Sequence, residues 1–225
     1  MIMVDILIVV AIVSMIYLLT HLTIDTQKKE QKLAKKRAKK PQQQKVKKRR
    51  IWVLDGQELE KRRAGELGEQ EVAFIIEELL DEDDVLLRNI EVVYENKEAE
   101  LDNVIISKRG VFIIEVKNYR GKLIGNEEDY DWQKRKETQG NVYVKTVHNP
   151  IKQVKRQVYI LAKYLQYYGI DVWVEGYVYF LNGNSPIDNE YILNDSKELE
   201  DVLLRNTKNH LSKATLKKIT KLLQS

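Results

Sequence analysis

Residues Ile6 to Ile24 (ILIVVAIVSMIYLLTHLTI) are 19 in succession without a formal charge, and no other stretch restricts the folding of this chain as strongly. A helix of that length, rising about 1.5 Å per residue, extends roughly 28 Å, close to the hydrocarbon thickness of a bilayer. Ser14, Thr20, His21 and Thr23 interrupt it only mildly. A cleaved signal peptide calls for a basic n-region, a shorter apolar stretch and a small-x-small cleavage site. Here Asp5 stands in the n-region, the run is long and no Ala-x-Ala follows. A buried core helix fits poorly with the terminal position and the asymmetric flanks. Residues 1–27 therefore read as a single-pass transmembrane anchor, with the span at 6–24.

The flank that follows is strongly basic. Residues 28–50 carry 13 Lys/Arg against one acid, Glu30. By the positive-inside rule, such a flank places the C-terminal side in the cytoplasm and the N-terminus outside a cell membrane. The run reads as a juxtamembrane tether: a topology determinant and solvated spacer, a segment lying on anionic lipid headgroups, or a non-specific binder of nucleic-acid phosphates. The whole chain carries +4, the tether +12 and residues 1–27 carry −2, so residues 51–225 carry −6. The bulk of the protein is acidic. With no cysteine, disulfide scaffolds, thiolate zinc sites, iron–sulfur clusters and cysteine nucleophiles are excluded.

Beyond the tether, the pattern alternates between helix and strand. Arg63–Asp81 has apolar residues at helical spacing (Val72, Ile75, Ile76, Leu79, Leu80). Leu86–Val93, Leu101–Ile106 and Val111–Val116 read as strands, the last two joined by a turn at Lys108-Arg109-Gly110. A short strand within Asn118–Gly125, an acidic loop over Asn126–Asp131 and a strand at Asn141–Thr146 come next. Asn149-Pro150 opens a helix to about Tyr168, and Asp171–Leu181 is a further strand. Ser196–Arg205 and Ser212–Leu223 are helical. The expected fold is α/β (α+β), with one mixed sheet flanked by helices. Residues 51–195 form the main domain and 196–225 a C-terminal helical extension.

Val111–Lys117 is apolar enough to be a central strand, yet it contains Glu115 and Lys117. Two apart, their side chains leave the same face. Buried charge is costly unless it is paired or bound to metal. This pair is either an internal salt bridge at a strand end, or a metal-binding carboxylate beside a lysine that polarises water. Mirror pairing across the Arg109-Gly110 turn brings Asp102 to the same end of the hairpin. Two converging carboxylates offer the hard oxygen donors that Mg²⁺ prefers. With the lysine, they hold the parts for metal-assisted attack of water on a phosphodiester.

This constellation resembles the PD-(D/E)XK nuclease superfamily and, within it, the NERD (nuclease-related) domain. The resemblance rests on Gly65-Glu66-Leu67-Gly68-Glu69, Glu100-Leu101-Asp102 and the run Gly110 to Asn118 containing Glu115-Val116-Lys117. Gly121 with Trp132, and Asn149-Pro150-Ile151-Lys152-Gln153, complete it. Together these cover residues 63–168. Leu101 replaces the proline of the superfamily name, as in many NERD sequences. The resemblance implies a restriction-endonuclease-like core and a divalent-metal-dependent nuclease using Mg²⁺ (Mn²⁺ as an alternative), with DNA favoured over RNA. It further implies Asp102, Glu115 and the Val116 carbonyl as metal ligands and Lys117 as the residue that orients or activates water. Glu69 is either another carboxylate at the metal or a first-turn acid favoured by the helix dipole. Gln153, supported by Gln157, would point into the site. Trp132 is expected to be a packing anchor.

Two competing functions remain: a catalytically weak or inactive domain used as a nucleic-acid- or protein-binding module, and a tethered scaffold with a vestigial site. The −6 balance speaks against duplex binding, which normally calls for a basic footprint. Local patches at Lys134, Arg135 and Lys136, and at Lys152, Lys155 and Arg156, offset it as candidate nucleic-acid contacts. His21, His148 and His210 lack metal-ligand spacing. The chain has no P-loop and hence no expected nucleotide cofactor, and no Gly-x-Ser-x-Gly elbow.

Overall fold

The hairpin that ends in Glu115 and Lys117 forms the middle of the molecule. The computed structural model describes residues 56–205 and 210–225, all within one compact unit. The expected span at 6–24 and the tether at 28–50 lie outside the described residues. Among the described residues, no helix is long and apolar enough to cross a membrane.

The chain runs α1 (Gly56–Leu79), β1 (Val85–Tyr94), β2 (Lys97–Ser107), β3 (Gly110–Lys117), β4 (Lys122–Ile124), β5 (Asp131–Thr138) and β6 (Asn141–His148). It continues through α2 (Pro150–Tyr167), β7 (Val174–Phe180), β8 (Ile192–Leu193), α3 (Ser196–Leu204) and α4 (Lys213–Leu223). Strands β1-β2-β3-β7-β8 make a mixed five-stranded sheet: the first three are antiparallel, and β7 is parallel to both β3 and β8.

Strand β3 is buried on both faces, which explains its unbroken apolar run. Phe112, Ile114 and Val116 pack with Val72 and Ile76 of α1 and Leu199 and Leu203 of α3. Val111 and Ile113 pack on the opposite face with Val154, Ile160 and Leu161 of α2 and Ile219 of α4. The result is a three-layer α/β/α arrangement, a mixed central sheet flanked by helices that fits a nuclease-like core. The C-terminal helices α3 and α4 each help to cover one face.

The expected single sheet is corrected to two. Strands β4, β5 and β6 form a separate three-stranded antiparallel sheet within the connection from β3 to β7. Strand β5 was not foreseen because Asp131–Thr138 is almost wholly polar and buries only Trp132. Pairing of its backbone with both neighbours holds it in place, and no alternation of apolar residues announces it. The first helix also begins earlier than Arg63, since its N-terminal turns are polar and lack an apolar stripe.

Helix α2 carries the two glutamines that matter below, and a glycine sets its height above the sheet. A Cβ on Gly176 of β7 would lie 2.5 Å from Val158 Cγ2 and 2.8 Å from Val154 Cγ2. Gly176→Ala should therefore cost about 1–3 kcal/mol through overpacking. Urea unfolding measures it; an unchanged midpoint would show that the helix shifts freely.

Candidate active site

The β2–β3 ladder ends at Asn103 and Ile114, one residue short of the position where Asp102 and Glu115 would face each other. In place of a further backbone pair, the Val116 N–H donates to Asp102 Oδ2 at 2.9 Å. The Lys117 carbonyl accepts from Leu181 N–H on the β7 side. Alternation along the strand therefore directs the Val116 carbonyl to the Asp102 side. On β1, Asn89 opposite Asp102 has φ of 52° and the pair is missing from the ladder. The pleat is interrupted here: Ala99 and Leu101 share one core with Val104 and Ile106, although strict alternation would send them to opposite faces. Irregular backbone of this kind is characteristic of functional sites.

Glu115 is 3% exposed and engaged through both oxygens. Its Oε1 accepts from Lys117 Nζ at 2.5 Å and from Gln153 Nε2 at 2.6 Å. Its Oε2 accepts from Gln157 Nε2 at 2.6 Å, and the same amide donates to the Glu100 carbonyl at 2.9 Å. Gln153 and Gln157 are one helical turn apart, so α2 presents both to one carboxylate. Asn149 caps that helix through the Ile151 N–H, and its Nδ2 donates to the carbonyls of Glu127 and Asp129. The Asn-Pro pair thereby ties the acidic loop to the helix start.

Burial, then the Glu115 charge, raises the Asp102 carboxyl to about 7, against smaller opposing effects of the Val116 N–H and Lys117. Burial also raises Glu69; Arg88 opposes it, and the Glu115 and Glu100 charges reinforce it. Lys117 would be lowered by burial, but Glu115, Tyr119 and Asp102 outweigh that and raise it. Its acidic neighbours thus favour the charged form of Lys117, which donates its hydrogen bond to Glu115.

The structure brings Asp102, Glu115, Val116, Lys117, Gln153 and Gln157 together, with Glu69 within their electrostatic reach. Three acids that repel one another, with only oxygen donors, match the chemistry of a hard divalent cation. Glu115 is already held by three donors, and among the described residues no cluster of three or more acids or histidines is gathered closely enough to hold an ion. A cation would compete with Lys117 and Gln153 for Glu115 Oε1.

The other candidates lie farther out. Lys134, Arg135 and Lys136 are on β5. Lys152 donates to the Glu128 carbonyl and Lys155 pairs with Glu127 at 2.7 Å, so both brace the acidic loop. Arg156 is exposed on α2. Trp132 is fully buried and stacks on Phe180 with centroids 6.2 Å apart. Sequence reasoning missed Tyr119, which lies against Phe180 and interacts with Lys117. Its i+2 spacing from Lys117 was the available signal.

The family described as NERD, nuclease-related domain, matches residues 64–181. An uncharacterized Bacillus anthracis protein is 26% identical over 102 residues, which are 45% of this chain and 48% of that protein. The match thus spans about half of that relative's length. No solved structure matches the chain.

The raised Asp102 predicts the pH dependence of stability. Its ordinary value is 3.8 and its folded value about 7, so between them the folded state binds the proton that the unfolded state releases. This contribution is complete below about pH 4 and lost as pH rises through 7, with a span on the order of a few kcal/mol. Denaturant titrations of the metal-free protein should show stability falling from pH 5 to 8. Asp102→Asn should flatten that slope; parallel profiles would refute the assignment.

Proposed function

Because the chain belongs to the nuclease-related domain family, we propose that it hydrolyses phosphodiester bonds of nucleic acid, DNA in preference to RNA, with the help of Mg²⁺ or Mn²⁺. The observation that carries this reading is the convergence of half-buried Asp102 and Lys117 on buried Glu115 at the end of the central hairpin. Asp102, Glu115 and the Val116 carbonyl would hold the cation, with Glu69 as a further carboxylate. A divalent ion held by these residues would supply Lewis-acid polarisation of a phosphoryl oxygen and a more acidic water.

The chain's own groups supply the remainder. Lys117, kept protonated by its acidic neighbours, donates hydrogen bonds toward the phosphoryl oxygens and stabilises the charge that grows on them. Gln153 and Gln157 fix the orientation of Glu115, so the carboxylate needs little rearrangement when substrate arrives. The half-buried position of Asp102 keeps its charge responsive to whatever cation or proton shares the site.

A second reading, a catalytically weak or inactive binding module, draws on the Lys117–Glu115 pair, which closes part of the donor set. Cleavage of linear, circular and single-stranded DNA separates the two. Lys117→Ala and Asp102→Ala should each lower the cation-dependent rate by roughly 100-fold or more. Cleavage indifferent to both substitutions, or to chelation, would reject the enzyme.

The apolar run at 6–24 and the basic run at 28–50 support a single-pass membrane anchor with the domain on the cytoplasmic side and the tether against anionic headgroups. A topology reporter fused after Ser225 should register the cytoplasm; an external signal would overturn that orientation.

A further inference from the structure

Pairing with β4 ends at Arg135, and beyond it β5 and β6 extend as a two-stranded ribbon; the residues past Trp132 and Val147 are mostly exposed. Gln139 and Gly140 both have positive φ (52° and 75°), the geometry of a tight hairpin turn that follows strand twist. Residues directly opposite each other share a face. Lys134 pairs with Lys145 and Lys136 with Tyr143, and Thr138 with Asn141 completes that face at the tip. One face therefore carries three lysines, an exposed tyrosine and no acid. Arg135 and Glu137 point to the other face, so the basic run read from the sequence is split by the pleat.

The lysine face continues into the candidate active site. Lys134 Nζ lies 5.3 Å from the centre of the Tyr119 ring, and Tyr119 interacts with Lys117. At the ribbon's base, Trp132 stacks on Phe180, whose register partner in β3 is Lys117. Lys134, beside Tyr119, thus adjoins the site, and Lys136 and Lys145 extend the same face outward from it.

We infer that the lysine face of the β5–β6 ribbon docks the phosphate backbone of a nucleic-acid duplex and delivers it to Lys117. Lys134 and Lys145 stand directly opposite each other, a concentration of like charge that the phosphates of a polyanion would complement. Protection of the β6 edge from self-association would need charge on the strand, but not three cations on one face with the acid on the other. Residues two apart on a strand are about 6.7 Å apart, a spacing comparable to that of neighbouring phosphates, and a two-stranded ribbon fits a major groove. The identity of the partner rests on the nuclease reading; the docking face rests on the register.

The test compares the full chain, its K134Q/K136Q/K145Q variant and a charge-matched K217Q/K218Q/K221Q variant on α4. Each is titrated with a DNA duplex in chelator over a salt series, after circular dichroism has shown equal folding. The slope of log K against log salt should become shallower by about 2 to 3 in the ribbon variant, at about 0.9 per lost phosphate contact, and stay unchanged in the α4 variant. An unchanged slope in the ribbon variant, or an equal change in both, overturns the inference. So does a loss confined to a single strand of the same length, or to vesicles containing anionic lipid. Binding is read without cation and hence without cleavage. A lysine-dependent slope in a protein that cuts nothing would reject the nuclease and retain the docking face. Cleavage with an unaltered slope would do the reverse.

Discussion

A carboxylate in the middle of a hydrophobic sheet must be compensated, and the compensation of Glu115 organises the molecule. Leaving a buried charge unpaired costs several kcal/mol, more than most single interactions return. Three side chains from two elements meet this demand: Lys117 of β3 itself, and Gln153 and Gln157 from successive turns of α2. For the glutamines to reach it, α2 must lie close on β7, where Gly176 leaves room, and must start where Asn149 fixes the acidic loop. The cost of one buried acid is thereby turned into the position of a helix and a loop.

That arrangement satisfies Glu115 at the expense of its neighbours. Asp102 receives only a backbone N–H in the described contacts and feels the Glu115 charge, so it holds a proton far above the usual carboxylate range. Glu69 is raised for related reasons. A fold selected for stability alone could replace these acids with apolar residues of similar size at no loss. The acids mark a local cost that a bound cation would offset.

Much of this was legible in the sequence because it follows from short-range regularities. The i, i+2 spacing of Glu115 and Lys117 fixes a shared face, and the turn at Gly110 fixes which residues mirror each other, so Asp102 follows from arithmetic. Asn149-Pro150 announces the helix start, and the i, i+4 spacing of Gln153 and Gln157 makes them a pair. What could not be read depends on backbone pairing or on irregularity. Strand β5 buries a single side chain, β8 has two residues, and nothing in the pattern of β4 and β6, both read as strands, assigns them to a separate sheet. Nor does a sequence reveal that Lys152 and Lys155 are committed to bracing a loop, since both look like free surface cations until their partners are placed.

The remaining tension is electrostatic: residues 51–225 carry −6, an unpromising balance for meeting a polyanion. Net charge, however, governs the field at a distance, whereas approach within a Debye length of about 10 Å at 0.1 M salt is governed by local arrangement. Several acids are neutralised where they stand, as in Asp81 with Lys108 and Arg109, Asp83 with Lys213, and Glu127 with Lys155. The ribbon does the opposite, gathering cations on a face that contains no acid. On the proposed docking, a duplex approaching along that face would meet lysines first and the carboxylates of the site last. The carboxylates lie where a divalent ion would screen them, so under the proposed chemistry the same cation would also make the acidic domain tolerable to a polyanion.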